Sequence, residues 1–307
     1  MADPALSQVT FEASDDGWSP CKVCDALDFF RPEIVENIRR VGEEPRFHAK
    51  QWEYAQLLEA KRRLAPNAKT LVGVGCGCEP TIPLLAEGAD EIICTDLYGM
   101  PGAWDVASRR PDEVFPQLRN LCVHSMDMRR VDLRAESADF VWSLCAIEHV
   151  GDGDAIVDAA RQAGRLLKPG GVMFLTSEFT FGDQSVFSPG RSSTLFLDRV
   201  MVRRLFTESG LHLVAPMDLR LSAHPFNAPL WWLINNDYPM LPHCGYSRKR
   251  LGVVGYHSTC FSMALCREDR GMDRMIEDPA GEPHLETLRA TARRLSRHVT
   301  APHKWWW

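Results

Sequence analysis

Short apolar runs alternate with amphipathic stretches through the middle of the chain. The apolar runs predict buried strands in "TLVGVG", "EIICTD", "LCVHSMD", "ADFVWSLCAIEHV" and "VMFLTSE". Between them, "TIPLLAEG" predicts a short helix that ends at Gly88, and "DAIVDAARQAGRLL" repeats apolar residues at helical spacing. This alternation predicts a parallel sheet with helices on both faces.

Further elements are predicted on both sides of this alternation. Pro32 to Arg40 and "FHAKQWEYAQLLEAKRRL" predict two helices before the first strand. After the fifth strand, "FLDRVMVRRLFTESG" predicts a helix that ends at Gly210, and "LHLVAP" and "STCFSMALCRE" predict strands. A long insertion, 217–257, separates these strands, and connections of that length are usually functional. We therefore expect an N-terminal helical extension (1–66), a sheet domain (67–267) whose insertion is a substrate lid, and a polar tail (268–307).

Composition and charge narrow the function. The 307 residues carry a net charge of −6, and the short basic clusters "KRR" and "RKR" are typical of solvated faces rather than of a nucleic-acid interface. The N-terminus has neither a basic start nor an apolar core, so we expect no signal peptide. No run reaches the roughly 18 apolar residues of a membrane span. These features predict a cytoplasmic protein that binds neither nucleic acid nor membrane.

Ten cysteines without a secretory signal predict reduced thiols. Cys21 and Cys24 form a single C-x-x-C, "CKVC", whereas a structural zinc site needs about four ligands. The further candidates are scattered far along the chain: His243, Cys244, His257 and Cys260. We therefore predict no metal.

The turn after the first sheet strand, "LVGVGCGCEP", indicates a nucleotide ligand. Gly75 and Gly77 let backbone N–H groups approach a ligand, and Asp96, 21 residues after Gly75, is placed to bind ribose hydroxyls. A nicotinamide dinucleotide and another adenosine ligand both fit this much. Glu79 favours the second, because a carboxylate close to a pyrophosphate is repulsive. A cationic adenosine ligand, such as one with a sulfonium and an ammonium group, suits it better.

From about Leu71 to Glu178 the chain resembles the class I S-adenosylmethionine-dependent methyltransferases, most closely the small-molecule branch called type 11. The matching segments, in order, are "VGVGCG", "CTDLYG", "SMDM", "DFVWSLCAIEHV" and "LLKPGGVMFLTSE". "FTESGLHLV" and "CFSMALCRE" extend the resemblance to the last two strands. It implies a Rossmann-like, doubly wound, mostly parallel seven-stranded sheet, with S-adenosylmethionine as cofactor. The chain departs from the family in having Gly73 where an acid is usual and Glu79 where a glycine is usual.

The resemblance also implies roles for individual residues. Asp96 would bind the ribose hydroxyls, Asp127 the adenine amino group, and Leu97 would pack near the adenine. The other residues expected at the cofactor are Gly73, Gly75, Gly77, Glu79, Met126, Met128, Ser143, Leu144, Cys145, Gln51 and Trp52. Trp52 stands at helical spacing, so a place in the core is an equal alternative.

Methyl transfer needs a base only where the acceptor must lose a proton. Glu148, His149 and Glu178 follow the fourth and fifth strands and are the candidate catalytic residues, although His149 also suits packing beside the cofactor. Ligand pockets are mostly apolar with a few polar anchors. The candidates for substrate binding are therefore His48, His224, Trp231, Trp232 and Tyr238, for which packing of the insertion or a dimer interface is the alternative. The aromatic end, Trp305 to Trp307, could dock into a groove on this chain or on a neighbour, so a homo-oligomer stays open.

We therefore predict a methyltransferase that acts on an oxygen, nitrogen or carbon atom of a small molecule, such as a sugar or a specialised metabolite. One alternative is a catalytically silent binding protein with the same fold, which the altered glycine turn and the aromatic tail suggest. Against it, Asp96 and Asp127 are both present. A nicotinamide oxidoreductase is the weaker alternative, because it leaves "KPGG" and "FTESG" unexplained.

Overall fold

A computed structural model describes residues 17–99, 109–188, 193–224, 227, 243–248, 253–277, 286–288 and 290, with the backbone alone at 188, 243–248 and 253–256. Its helices are α1 (Pro32–Arg40), α2 (Ala49–Leu64), α3 (Ile82–Ala86), α4 (Pro111–Val114), α5 (Gly153–Gly164) and α6 (Arg199–Thr207). Its strands are β1 (Lys22–Val23), β2 (Thr70–Val74), β3 (Glu91–Asp96), β4 (Leu121–Ser125), β5 (Ala138–Leu144), β6 (Leu167–Thr180), β7 (Val186–Ser188), β8 (Thr194–Phe196), β9 (His212–Leu213), β10 (Met217–Asp218), β11 (His243–Arg248), β12 (Val253–Cys266) and β13 (Met275–Ile276).

One mixed sheet organises the described chain. Its main path runs β13-β10-β1-β12-β6-β5-β2-β3-β4, and β9 and β11 also pair with β12. The five strands from β4 to β6 are parallel, whereas β12 runs antiparallel to β6. The predicted fold class is therefore confirmed: an α/β, doubly wound and mostly parallel central sheet.

The chain reverses its direction of winding at β2. From β2 it passes outward to β3 and β4, and it then returns to place β5 on the other side of β2. Ligands of open α/β sheets bind beyond the carboxyl ends of the strands at such a point. The turns after β2 and β5 are therefore where a cofactor is expected, and both contain predicted site residues.

The sheet is wider than the seven strands expected from sequence. β1, β10 and β13 continue it beyond β12, with Lys22 paired to both Asp218 and Ser262. Each of these strands has two residues, which is too short for an alternating pattern to be recognised. The N-terminal segment, expected to be helical, and the polar tail, in which no strand was expected, thus both contribute a strand.

The insertion is shorter than predicted at its end, because β12 begins at Val253 and pairs with β11. Its described beginning docks on the N-terminal segment. Asp25 accepts hydrogen bonds from the backbone N–H and the hydroxyl of Ser222, at 2.5 and 2.7 Å. Asn227 accepts one from the N–H of Ala26 at 2.8 Å. The N-terminal segment and the insertion therefore meet on the same side of the domain.

Helix α2 is buried around most of its circumference, which its apolar spacing alone does not predict. His48 begins the helix by accepting a hydrogen bond from the N–H of Lys50. Its polar residues Gln51, Glu53, Gln56 and Glu59 are each 1% exposed. Each has a hydrogen-bonding partner, such as Trp18 for Gln56 and Arg62 for Glu59. Buried polar side chains need such partners, so α2 is an interior element rather than an external cap.

Within the described ranges, no helix is both long and apolar enough to cross a membrane.

Candidate cofactor and acceptor site

The turn after β2 adopts the conformation that its glycines predict. Gly75 and Gly77 have φ values of +63° and +51°, in the left-handed region that favours glycine. A Cβ atom at Gly75 would lie 2.8 Å from the Cβ of Ala146, in the turn after β5. The two turns that flank the crevice are thus in van der Waals contact, and the glycine is what allows it.

Asp96, at the end of β3, closes this turn. Its Oδ2 accepts a hydrogen bond from the N–H of Gly77 at 2.7 Å, and its Oδ1 accepts one from the N–H of Leu97 at 2.6 Å. Burial raises the pKa of Asp96, although the two N–H groups oppose the shift. Each carboxylate oxygen has a second lone pair, so Asp96 can hold the turn and still accept from a ligand hydroxyl.

The two departures from the family pattern are joined by one side chain, Trp142. A Cβ atom at Gly73 would lie 2.5 Å from Cζ2 of Trp142 and 2.7 Å from the sulfur of Cys76. The indole therefore fills the space that an acid at position 73 would need. Its Nε1–H donates a hydrogen bond of 3.1 Å to Oε2 of Glu79. The tryptophan thus excludes a carboxylate from one side of the turn and holds one on the other.

Replacing Gly73 with alanine is expected to destabilise the fold by about 3 kcal/mol, the upper end of the range for overpacking, because the Trp142 ring is fully buried and cannot move aside. Urea denaturation measures the loss. At Gly182 a Cβ atom would come no closer than 3.3 Å to the Thr180 hydroxyl, so alanine there is the matched control and should cost much less. Equal losses at the two positions would contradict the role given to Trp142.

Helix α2 supplies the wall facing these turns. Lys50 Nζ lies 2.9 Å from Oε2 of Glu53 and 5.9 Å from the ring centroid of Tyr54. The Lys50 charge acts on both Glu79 and Glu178 and lowers their pKa values against the larger effect of burial. Lys50, Glu53 and Tyr54 were not predicted from sequence, because a polar residue on a mostly buried helix has no periodic signal.

The residues of α2 that were predicted to contact the cofactor have other partners. Trp52 is fully buried and donates to Asp28 at 2.8 Å, which matches its alternative role in the core. Gln51 bonds Glu43 and the backbone of Glu44. These two side chains hold the segment before α2 in place, and their contribution to a cofactor site stays a prediction.

The turn after β5 brings together the three catalytic candidates. Glu148 is 1% exposed and accepts a hydrogen bond from the Ser177 hydroxyl at 3.0 Å. His149 Nε2 lies 4.0 Å from Glu148, and its Nδ1 is 3.4 Å from the Thr194 hydroxyl. Ligand-type atoms of Cys145, Glu148 and Glu178 lie within 4.8 Å of one another. Since Lys50 acts on all three groups, its positive charge opposes a metal ion there.

Glu178, near the end of β6, is the acid that best matches a proton carrier. Burial and, to a smaller extent, the neighbouring Glu148 and Glu53 raise its pKa to about 8 against the opposing effect of Lys50. A general base works best when its pKa lies near the operating pH. Glu178 meets that condition, and a carboxylate oxygen of Glu178 lies within 4.8 Å of the sulfur of Cys145, in the turn beside the crevice.

Residues predicted on the adenine side lie along the ends of β3 and β4. Asp127 is bound by the Arg129 guanidinium, which holds the pKa of that carboxyl below its usual range. Met128 would be 3.1 Å from a Cβ at Gly75, and the N–H of Met126 bonds the carbonyl of Asp96. Ser143 and Leu144 are buried, at 1% and 3% exposure. The adenine contacts themselves stay a prediction.

The predicted substrate residues are placed in part. His224 stacks on Phe47 with centroids 6.5 Å apart, and His48 follows Phe47 at the start of α2. Trp231, Trp232 and Tyr238, and also Trp305 to Trp307, lie outside the described residues.

The two cysteines of the C-x-x-C do not converge on one site. The Cys21 sulfur forms hydrogen bonds with the backbone of Ala264. Cys24 is a free thiol that forms a hydrogen bond with the free thiol of Cys260.

Comparison with known proteins identifies the domain. Residues 72–175 match the family model Methyltransf_11, a methyltransferase domain, and among curated proteins none matches the sequence. Similar solved structures include a candidate sarcosine dimethylglycine methyltransferase from Galdieria sulphuraria, with 24% identity, a TM-score of 0.40, and coverage of 53% of this chain and 59% of that one. A methyltransferase from Mesorhizobium loti has 14% identity, a TM-score of 0.44, and coverage of 69% and 97%. A third structure is an amino pentose methyltransferase of calicheamicin biosynthesis from Micromonospora echinaspora, solved with S-adenosylmethionine bound. It has 14% identity and a TM-score of 0.40, and the match covers 75% of this chain and 97% of that one.

The doubly wound fold and the family match thus support an S-adenosylmethionine-dependent methyltransferase domain. Residues 72–175 form a methyltransferase domain of the Methyltransf_11 family.

Proposed function

We propose that this methyltransferase acts on a small molecule and that the accepting atom is an amine nitrogen. The observation that carries the proposal is the excess of carboxylates around the crevice. Glu53 and Lys50 both act on the pKa values of Glu79, Glu148 and Glu178, and Glu148 also acts on that of Glu178. Since Lys50 is already paired with Glu53, a bound cation is the partner that would ionise the remaining carboxyl groups, so the site favours cationic ligands.

The residues present fit the cofactor. S-adenosylmethionine carries a sulfonium and an ammonium and has no phosphate, so it suits a site with Glu79 beside the glycine turn. We assign Asp96 to its ribose hydroxyls and Glu79 to its ammonium group. When bound, this cofactor supplies a methyl group on a positively charged sulfur. The glycine turn is open at Gly77, where a Cβ atom would meet only Oδ2 of Asp96, at 3.8 Å.

Glu178 acts as the base for an amine acceptor. An alkylammonium has a pKa of about 10 and must lose its proton before it can attack. A carboxyl group with a pKa of about 8 is strong enough to take that proton, whereas an ordinary alcohol would need a far stronger base. Glu148, held by Ser177, is a second carboxyl group that can pair with the cationic acceptor. Acceptor access lies where the start of the insertion docks on the N-terminal segment, near Phe47 and His224.

Calorimetric titration with S-adenosylmethionine tests the cofactor assignment. The pKa of Glu79, raised to about 8 by burial, makes this carboxyl mostly neutral at pH 7. Binding an ammonium beside it should ionise it, so we expect nearly one proton to be released, measured from the dependence of the heat on buffer ionisation enthalpy. In Glu79→Gln this release should vanish and affinity should fall about tenfold or more.

Methylthioadenosine, which lacks the ammonium group, is the control ligand and should bind Glu79→Gln as well as the wild type. Glu87→Gln changes an exposed acid just beyond α3 and should leave both ligands unaffected. Equal weakening of both ligands by Glu79→Gln would contradict the assignment of Glu79 to the ammonium group. A screen that compares amino sugars with their hydroxyl counterparts then tests the acceptor, and transfer to the hydroxyl compounds alone would overturn the amine proposal.

A further inference from the structure

A chain of hydrogen bonds connects helix α2 to the turn after β5. Lys50 Nζ pairs with Oε2 of Glu53 at 2.9 Å. The Thr176 hydroxyl, on β6, donates to the same oxygen at 2.7 Å. That hydroxyl in turn accepts a hydrogen bond of 3.1 Å from the N–H of Cys145. Glu53 is 1% exposed and Thr176 is fully buried, so water does not compete with these contacts.

Cys145, at the end of this series of hydrogen bonds, has an unusual backbone conformation. Cys145 has a φ of +46°, in the left-handed region where a residue other than glycine is disfavoured by about 1 kcal/mol or more. Its N–H is shared between the carbonyl and the hydroxyl of Thr176, at 3.0 and 3.1 Å. These two acceptors, both from one residue of β6, oppose relaxation of the turn.

The conformation of Cys145 determines where the following residues lie. Ala146 comes next and packs against Gly75 of the glycine turn. Glu148 and His149 follow within the same turn. A shift at Cys145 would therefore move one wall of the cofactor crevice and two catalytic candidates together.

We infer that Lys50, Glu53 and Thr176 are positioning residues, which hold the left-handed turn at Cys145 and thereby set the distance between the glycine turn and the turn after β5. The Lys50 ammonium keeps a charged acceptor at Glu53, and Glu53 orients the Thr176 hydroxyl so that its lone pair faces the Cys145 N–H. None of the three needs to touch the reacting atoms. The inference rests on the cofactor lying in this crevice, as proposed above.

The experiment compares four variants for cofactor affinity, kcat and stability. Thr176→Val removes the hydroxyl with little change in volume, and Thr176→Ser keeps it. Glu53→Gln removes the charge, and Glu59→Gln is its matched control, because Glu59 is equally buried on α2 but pairs with Arg62 and Arg63. We expect about a tenfold or greater rise in Kd for S-adenosylmethionine in Thr176→Val and Glu53→Gln, from the loss of a buried hydrogen bond and its orientation. Thr176→Ser should lie within about threefold of the wild type, and Glu59→Gln should lose stability without loss of affinity.

The exchange rate of the Cys145 amide hydrogen measures how firmly the turn is held, and it needs no ligand. The amide of Cys145 should exchange about tenfold faster in Thr176→Val than in Thr176→Ser, because its second acceptor is gone. Failure of the wild type to bind the cofactor would overturn the proposed function and leave this readout intact. Unchanged exchange and affinity in Thr176→Val, or an equal loss of affinity in Glu59→Gln, would overturn the positioning role.

Discussion

Asp96→Ala is expected to reduce the affinity for S-adenosylmethionine by at least about a hundredfold, which calorimetric titration will show as loss of measurable binding. The substitution removes both the proposed ribose acceptor and the group that holds the glycine turn, since Asp96 accepts from the N–H groups of Gly77 and Leu97. Hydrogen bonds to a charged group are worth about 1.5–3 kcal/mol each. Two ribose hydroxyls and a disordered turn together account for the expected loss.

The chain offers a matched control for this variant in the same sheet, at the amino ends of the parallel strands. Asp139, at the start of β5, also accepts from two backbone N–H groups, those of Lys69 and Thr70, at 2.9 and 2.8 Å. Asp139→Ala should therefore cost comparable stability and leave cofactor affinity unchanged. If both variants weaken binding equally, the effect of Asp96 is general destabilisation, and its assignment to the ribose is wrong.

Glu178→Gln is expected to lower kcat by about 10²–10³-fold, within the usual range for loss of a general base. Affinity for S-adenosylmethionine should change by less than about threefold, because Glu79 and Asp96 supply the cofactor contacts in the proposal. Steady-state kinetics with an amine acceptor, together with direct cofactor titration, measure the two effects separately. Glu136→Gln, which alters an exposed acid paired with Arg267, is the control and should retain full activity.

The same carboxyl group predicts a pH dependence. The base must be ionised to take a proton, so kcat/KM of the wild type should rise with pH and level off above about 8, and this limb should disappear in Glu178→Gln. The contribution of Glu178 to the stability of the fold should have the opposite pH dependence and fall as the pH rises. The folded-state pKa of Glu178 lies above its unfolded value, so its contribution is fully present below pH 4.5 and is lost as pH rises through about 8. A wild-type activity profile that is flat between pH 6 and 9 would contradict Glu178 as the base.

The glycine turn and the strand ends could be predicted from sequence because their signals are local. Gly75 and Gly77 follow an apolar run directly, and Asp96 ends the next run. Their positive φ values and the closing hydrogen bond to Asp96 confirm the turn that this order predicts. Glu148, His149 and Glu178 were expected at the same edge for the same reason, since parallel strands end together.

Other parts of the site had no local signal. Lys50 and Glu53 lie on a helix whose apolar spacing indicates packing and does not indicate which polar residues face a crevice. Likewise, the two-residue strands β1, β10 and β13 are set by their partners in the sheet and by no pattern of their own.

The sequence by itself determined the order of the central strands and helices and the place of the glycine turn, because periodicity and turn residues act over a few neighbouring positions. Its resemblance to a known family indicated the class of cofactor. Only the tertiary structure decided how the side chain of Glu79 is held and how the turn at Cys145 is fixed. The bond from Trp142 to Glu79 spans 63 residues, and the bond from Thr176 to Glu53 spans 123. Such contacts depend on which side chains the packed sheet brings face to face, and that is a property of the whole fold.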